Sequence, residues 1–373
     1  MSPGISFVDR LSIGASAIAG FLLVVFFLLG LPIILAWLNP LLAIAGGISL
    51  VLATVAAVIC WLFRRRRSPS HPLRIFVKAA AAAFMAVVGL MALPVYYLSF
   101  EVDAHPSALP QVTLTNGTKT VVYQGMVHVG SEPSYKSVVY DLEKALVEGF
   151  TLFYEGVQPS PGEGDQWFSR NLAGGGDLSE NYRMLGSVCE LKFQLEYFAL
   201  LSEDMKARPE RHVVADVTTL DMKREYDRLL KSDPSFAARM SRRPAREAAE
   251  PNSTQGGLTD SLIDRLKPAT SDQSRILGIL CRGAINMAIG QGGDEGDLEP
   301  IVLDFRNRNL AATITKHPAN KIYITYGAAH LPGMIALLKA QDPQWRIVSS
   351  KWVRAIGTPE HLTGRVVLQE GAK

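Results

Sequence analysis

The first hundred residues are dominated by apolar stretches that contain no charge. No charged residue occurs over 11–63, and such a run is too long for one membrane-spanning helix, which needs about 20 residues. An Asn-Pro pair divides the run into two predicted spans, 12–38 and 41–63. A third uncharged stretch, 79–100, follows a short polar loop. The pattern predicts an anchor of three transmembrane helices.

Beyond residue 100 the hydrophobic period alternates between that of strands and that of helices. Alternation over 112–115 and 119–123 around Asn116-Gly117 predicts a hairpin. A helical pattern at 135–148 and then a strand at 151–154 predict a strand–helix–strand unit with parallel strands. Further helices are predicted at 182–201, 202–208, 220–230, 274–289, 298–316 and from Pro332, and further strands at 212–215, 321–326, 345–353 and 365–368. The expected fold class is α/β, with a mostly parallel central sheet flanked by helices and preceded by the three-helix transmembrane anchor.

One segment of the body breaks this alternation. Residues 231–260 are polar and rich in small side chains, which is typical of a mobile insertion. The predicted organisation is therefore an anchor over 1–100 and a body over 101–373, with a flexible insertion at 231–260.

Charge is distributed unevenly along the chain. The first hundred positions hold seven basic residues and one acidic residue, whereas the body is slightly acidic. An acidic body argues against nucleic acid as a partner, because phosphate binding requires a basic surface. Arg10 precedes the first span, and Arg64–Arg67 lies between the second and third spans. By the positive-inside rule both face the cytoplasm, so we expect a bacterial inner-membrane protein whose body lies outside the cytoplasm.

The cysteines leave two options open. Cys60 falls in a predicted span, whereas Cys189 and Cys281 belong to the body. In a body outside the cytoplasm the last two can form a disulfide. They can equally be small buried apolar residues.

Four ionisable residues follow predicted strands. The motif Gly-x-x-His occurs twice, at Gly125–His128 and at Gly327–His330, each where a strand gives way to a loop and a helix. Glu155 and Asp216 each end a strand of their own. Because the carboxyl ends of parallel strands form one edge of a sheet, we expect these side chains to face one crevice.

This residue set predicts hydrolytic chemistry. His128, Glu155 and His330 suit a divalent metal ion of the Mn, Co or Zn class, with open positions for water and substrate. Without a metal, either histidine can act as a general base oriented by Glu155. Gly125, Gly327 and Asp216 are expected to shape the edge and position substrate. The plain alternative is that each histidine hydrogen-bonds a loop carbonyl and that Glu155 caps a turn.

The body resembles the TraB/TIKI/GumN family over roughly 111–355. The resemblance lies in the two Gly-x-x-His motifs, in the strand-end Glu155, and in an Arg-Asn pair upstream of the second motif, matched here to Arg308-Asn309. It implies an α/β domain related to erythromycin esterase-like and haem-binding proteins, with metal-dependent peptidase activity in animal members. Glu155, Arg308 and Asn309 are the catalytic residues expected from it.

The sequence therefore predicts a membrane-anchored, metal-dependent peptidase acting on a peptide or protein outside the cytoplasm. A second hypothesis is a non-catalytic module that binds haem or a peptide signal at the same sheet edge. A third is a structural membrane protein whose body only assembles partners. The sequence gives no indication of oligomeric state.

Overall fold

The computed structural model describes residues 7–36, 38–64, 72–174, 177–242, 271–291 and 296–357. The chain divides into two compact units. The first comprises Met1–Phe100 and Pro268–Leu280, and the second comprises Glu101–Lys267 and Cys281–Lys373. The segment Pro268–Leu280 thus belongs with the apolar N-terminal part rather than with the body.

Three long helices make up most of the first unit: α1 (Phe7–Ala36), α2 (Leu38–Arg64) and α3 (Pro72–Ala104). Each is long and apolar enough to cross a membrane, as predicted from the uncharged stretches. The third helix begins seven residues before the predicted span, because the segment from Pro72 to Lys78 is also helical.

The first and third helices approach closely at two glycines. A side chain at Gly30 would place its Cβ against the carbonyl oxygen of Val88, and one at Gly89 would meet the ring of Phe26. Small residues at such crossings allow helix backbones to pack tightly in membranes. The contact places Val88 in an apolar cluster within this unit.

The second unit is built on a six-stranded sheet with the order β6-β4-β7-β2-β1-β8. Its strands are β1 (Ala108–Thr115), β2 (Thr120–Met126), β4 (Thr151–Tyr154), β6 (His212–Val214), β7 (Lys321–Gly327) and β8 (Arg346–Arg354). The four strands β6, β4, β7 and β2 are parallel, whereas β1 pairs antiparallel with both of its neighbours, β2 and β8. Two short strands, β3 (Val129–Gly130) and β5 (Lys192–Phe193), form a separate antiparallel pair.

Helices cover both faces of the sheet. Their bounds are α4 (Glu132–Val147), α5 (Glu163–Asn171), α6 (Leu178–Val188), α7 (Gln194–Phe198), α8 (Ser202–Ala207), α9 (Thr219–Ser232), α10 (Pro234–Arg242), α11 (Ser271–Gln291), α12 (Arg306–Lys316) and α13 (Leu331–Gln341). Tyr123 and Phe153 pack on one face against Leu310 of α12 and Met334 of α13. On the other face, Leu152 packs against α4. The predicted α/β class with a mostly parallel, helix-flanked sheet is confirmed.

The predicted hairpin joins β1 and β2. Asn116 Oδ1 accepts hydrogen bonds from the backbone amides of Thr118 and Lys119, at 3.1 and 2.8 Å. Gly117 has φ +92°, a conformation that glycine adopts without strain. The Asn116-Gly117 pair therefore predicted this hairpin turn correctly.

The two strands of the predicted strand–helix–strand unit are not neighbours in the sheet. Strands β2 and β4 are parallel, but β7 lies between them and pairs with both. Because β7 comes about 170 residues later in the chain, no local pattern indicated this insertion.

Two further expectations need correction. The first part of the predicted mobile insertion is helical, because Pro234–Arg242 forms α10 and buries Phe236 completely. The predicted helix over 182–201 is interrupted after α6, where Glu190 has a positive φ and strand β5 follows. The rest of the expected insertion, 243–260, and the predicted strand at 365–368 lie outside the described residues.

Candidate functional site

The carboxyl ends of the parallel strands bring the expected residues to one edge of the sheet. In the register of β2 and β7, Gly125 lies opposite Tyr326 and Met126 lies opposite Gly327. The two Gly-x-x-His motifs therefore leave neighbouring strands with an offset of one residue in register. Strand β4 pairs with the other side of β7, and Glu155 follows it directly.

Arg306 lies at the centre of the site. Its Nε donates to Asp216 Oδ1 at 2.9 Å, and its Nη2 donates to Asp216 Oδ2 at 2.6 Å. The same Nη2 donates to Glu155 Oε1 at 2.7 Å. Arg306 is buried, and so is the Asp216 side chain, with 0% exposure. One fixed cation thus joins two strand-end carboxylates.

Asp216 stays ionised in this environment. Burial alone would raise its pKa, but the hydrogen bonds and charge of Arg306 and the Val217 amide hold the pKa of Asp216 below its ordinary value. The backbone amide of Gly156 also donates to Asp216 Oδ2, at 3.0 Å. Asp216 therefore positions Arg306 and the start of the loop after β4.

Glu155 is held from two sides. Its Oε1 accepts from Arg306, and its Oε2 accepts from the backbone amide of Gly327 at 2.6 Å. A Cβ at position 327 would lie 3.3 Å from Glu155 Oε2. A side chain at position 327 would therefore crowd the carboxylate, in agreement with an uncluttered strand end. At Gly125 a Cβ would likewise be 3.1 Å from Pro110 and Ala328.

His330 faces both Glu155 and Arg306. Its Nδ1 is 2.8 Å from Asn307 Oδ1, and its Nε2 lies 3.8 Å from Glu155 Oε1 and 3.4 Å from Arg306 Nη1. Burial, and then the charge of Arg306, lower the pKa of His330 to about 4. The imidazole is therefore neutral near pH 7.

His128 lies at the rim of the same site. Its ring stacks on Tyr182 with centroids 4.3 Å apart, and its Nδ1 is 3.0 Å from Gln194 Nε2. Burial lowers the pKa of His128, while the charge of Glu155 acts in the opposite direction. The ionisation of His128 and that of His330 influence each other through their charges, so both belong to one electrostatic environment.

Two tyrosines close the buried side of the site. The Tyr123 hydroxyl donates to the Gly327 carbonyl at 2.7 Å, and burial raises the pKa of Tyr123 well above its ordinary value. The Tyr326 ring stacks edge-on against His330 and lies under the Arg306 guanidinium, 5.2 Å from its centroid. These aromatic contacts keep Arg306 and His330 in fixed orientations.

The expected pair Arg308-Asn309 is replaced by the preceding pair, Arg306-Asn307. Arg308 is about half exposed and pairs with Glu225 at 2.6 Å, away from the strand-end carboxylates. Helix α12 buries the stripe that contains Leu310 as well as Arg306 and Asn307. The helical phase therefore turns the first Arg-Asn pair toward the site and the second pair away.

The metal site expected at His128, Glu155 and His330 stays a prediction. Glu155 Oε1 and His330 Nε2 lie at a distance that two ligands of one ion can adopt. Yet no group of three His, Cys, Asp or Glu side chains suited to a metal ion occurs in the described part of the chain. His128 Nδ1 contacts Gln194, and the Arg306 cation already pairs with Glu155.

Sequence reasoning considered the run from Arg306 to Asn309 but chose its second Arg-Asn pair instead of Arg306-Asn307, and it missed Gln194 and Tyr123. The spacing of Arg306 and Asn307 from the apolar Leu310 and Ile314 was a usable signal, since residues three or four apart share a helix face. Gln194 carried no such signal, because only the β3–β5 pairing brings it next to His128.

A disulfide joins Cys189 to Cys281 across 92 residues. Arg282, next to Cys281, donates from Nε to the Cys189 carbonyl at 2.9 Å. Together these contacts fix the loop that leads into β5 and Gln194. Of the two options that the sequence left open, a disulfide or two buried apolar residues, the structure contains the disulfide.

Comparison of the chain with protein-family models, with curated proteins and with solved structures finds no match.

Proposed function

We propose that the protein is a membrane-anchored hydrolase of the TraB/TIKI/GumN type that cleaves a peptide or protein outside the cytoplasm. The observation that carries the proposal is the 3.8 Å spacing of two acceptors, Glu155 Oε1 and His330 Nε2, at the strand-end edge. Two acceptors at such a distance can hold one water molecule between them. Water in that position is the attacking group of a hydrolysis reaction.

Glu155 and His330 have different roles in activating this water. His330 is neutral near pH 7 because burial and Arg306 lower its pKa, so Nε2 can accept a proton from water. Glu155 is fixed by Arg306 and by the Gly327 amide. It therefore orients the water and favours the positive charge that develops on the imidazole.

Arg306 supports the negative charge that develops on a carbonyl oxygen during attack. Its Nε and Nη2 make short bonds to carboxylates, whereas its Nη1 contacts are long, at 3.4 Å to His330 and 3.5 Å to the Val302 carbonyl. Nη1 is the donor that an incoming substrate oxygen can engage. A preorganised cation in a buried site is a strong means of stabilising such charge.

A metal-dependent version of the same reaction is the second candidate. One contact favours it: His330 Nδ1 bonds to Asn307, and metal-bound histidines almost always donate their second ring nitrogen in this way. Against it, the Arg306 guanidinium lies 2.7 Å from Glu155 Oε1, so its charge opposes a divalent cation beside that oxygen. No step of the proposed mechanism therefore uses a metal ion.

The location of the body rests on two independent features. The basic residues around the apolar helices favour a cytoplasmic N-terminus, and the Cys189–Cys281 disulfide is typical of an oxidising compartment. We therefore propose that the body faces the outside of a bacterial inner membrane. A reporter enzyme that is active only outside the cytoplasm is expected to be active when fused after Lys373. Activity of a reporter that works only in the cytoplasm would contradict this orientation.

The hydrolase proposal is tested with the purified full-length protein and a mixture of peptides, with cleavage followed by mass spectrometry. Glu155→Gln and His330→Gln are expected to reduce cleavage by about 100-fold or more. The exposed residues Glu203 and His105 provide matched controls, since Glu203→Gln and His105→Gln leave the site intact.

Other outcomes distinguish the alternatives. Cleavage that requires an added divalent ion, with metal retained by wild type but not by His330→Gln, would replace the metal-free mechanism with the metal-dependent one. Peptides that bind without being cleaved, or a haem absorbance band on the purified protein, would overturn the hydrolase proposal in favour of a binding module.

A further inference from the structure

We infer that Asn307 and Gln194 hold the two motif histidines in opposite tautomers, so that His330 accepts and His128 donates a hydrogen bond through Nε2. The inference deepens the proposed function and rests on it for its catalytic meaning. The tautomers themselves follow from which atom of each side-chain amide faces the ring.

The tautomer of His330 is set by Asn307. The atom 2.8 Å from His330 Nδ1 is the amide oxygen Oδ1, and a carbonyl oxygen can only accept. Nδ1 of His330 must therefore carry the hydrogen. In the neutral ring this leaves a lone pair on Nε2, the nitrogen that faces Glu155 and Arg306.

The tautomer of His128 is set in the opposite sense by Gln194. The atom 3.0 Å from His128 Nδ1 is the amide nitrogen Nε2, and an amide nitrogen can only donate. Nδ1 of His128 is therefore the acceptor. In the neutral ring the hydrogen lies on its Nε2, which makes that nitrogen a donor.

Both amides are held rigidly enough to impose these states. Asn307 is 3% exposed, and its Nδ2 packs directly over Gly333, where any Cβ would collide with it. The backbone amide of Gln194 donates to the His128 carbonyl at 3.1 Å, next to the β3–β5 pairing of Val129 with Phe193. The Asn307 amide is thus fixed by packing, and Gln194, which is itself buried, is held beside His128 through its backbone.

Opposite tautomers give the two rings complementary roles toward a carbonyl substrate such as a peptide bond. Water gives a proton to His330 Nε2 as its oxygen bonds to the carbonyl carbon. The carbonyl electron pair moves to oxygen, which accepts a hydrogen bond from His128 Nε2–H. The electron pair on this oxygen then re-forms the C=O bond as the C–N bond breaks, and His330 returns the proton to the leaving nitrogen, which gives a carboxylic acid and an amine. A neutral imidazole can polarise a carbonyl in this way without losing its own proton.

The test is the nitrogen NMR spectrum of the full-length protein in detergent, with ¹⁵N-labelled histidine, recorded at pH 8 where both rings are neutral. His330→Gln and His128→Gln identify the two sets of signals. We expect His330 to show a protonated Nδ1 and a bare Nε2, and His128 to show the reverse. Finding both rings in the same tautomer would overturn the inference.

Two variants test the cause. Asn307→Leu removes the acceptor and is expected to give His330 a mixture of tautomers, whereas Asn309→Leu, in the second Arg-Asn pair, leaves its spectrum unchanged. Gln194→Glu replaces the donor with an acceptor and is expected to move the hydrogen of His128 to Nδ1. Unchanged tautomers in Asn307→Leu and Gln194→Glu would refute control by these amides.

The result separates the inference from the proposed function. Opposite tautomers in a protein that cleaves no peptide would sustain the tautomer assignment and remove the hydrolase. Cleavage by a protein whose two rings share one tautomer would sustain the hydrolase and overturn the tautomer assignment.

Discussion

The Arg306 guanidinium and the Glu155 carboxylate form a buried ion pair with Nη2 and Oε1 2.7 Å apart. The contact joins helix α12 to the end of strand β4, two elements far apart in sequence. It is the interaction around which the other ionisable groups of the site are arranged.

The first prediction concerns how much this ion pair contributes to the free energy of unfolding. Arg306→Ala leaves Asp216 and Glu155 buried without their cation, so the free energy of unfolding should fall by about 3–5 kcal/mol. Arg308→Ala, two positions along the same helix, removes a half-exposed pair and should cost less than about 1 kcal/mol. Denaturation of the two variants in one detergent provides the measurement. Equal losses would contradict the central position of Arg306.

Arg306→Lys separates charge from shape. Lysine retains the positive charge but cannot reproduce the forked contact with both oxygens of Asp216. We expect stability between those of wild type and Arg306→Ala, with cleavage reduced as in Glu155→Gln. Full activity in Arg306→Lys would mean that the fork is not needed.

The second prediction concerns the Cys189–Cys281 disulfide. Because it closes a loop of 92 residues, replacing both cysteines by serine should lower the free energy of unfolding by about 2–5 kcal/mol. Reducing agent should lower the melting temperature of the wild type but not that of the double variant. Cys60→Ser, in α2, is the control and should retain the response to reductant. A wild type unaffected by reduction would contradict a stabilising role.

The sequence was informative where structure depends on near neighbours. The three apolar helices, the Asn116-Gly117 hairpin and the strands ending at Glu155 and Gly327 all follow from local period and turn chemistry. They also sufficed to bring the ionisable strand ends to one edge, because parallel strands place their carboxyl ends together.

What escaped prediction depends on contacts between distant segments. The position of β7 between β2 and β4 depends on pairing between strands that are far apart in sequence. The selection of Arg306 over Arg308 depends on how α12 is rotated on that sheet. Helix α10 lies in a segment with few apolar residues, and two of them, Phe236 and Met240, pack in the apolar cluster that contains Trp167.

The third prediction concerns the crossing of α1 and α3. Gly30→Ala would bring a Cβ against the Val88 carbonyl oxygen. In the described part of the chain, a Cβ at Gly20 of the same helix would meet no atom within 4 Å beyond the helix's own nearby backbone. Forcing atoms into a packed contact typically costs about 1–3 kcal/mol. Gly30→Ala should therefore unfold at lower SDS concentration than wild type, and Gly20→Ala should not. Equal behaviour of the two variants would contradict the close crossing.

The last prediction concerns pH and follows from the neutral state of His330. In the unfolded chain a histidine takes up a proton below about pH 6.5, whereas in the folded protein the pKa of His330 is lowered to about 4. Between these values the unfolded state binds more protons, so the free energy of unfolding falls as pH falls. The loss from His330 begins near pH 6.5 and reaches at most about 3 kcal/mol near pH 4.

The measurement is the melting temperature of the detergent-solubilised protein from pH 7.5 down to pH 4.5. His330→Gln cannot take up the proton, so its melting temperature should decline less steeply over this range than that of wild type. His105→Gln, which changes an exposed ring, should follow the wild-type curve. A His330→Gln curve as steep as that of wild type would mean that His330 is readily protonated in the folded protein. The water-activating role would then have to pass to another base, since a protonated Nε2 has no lone pair with which to accept a proton.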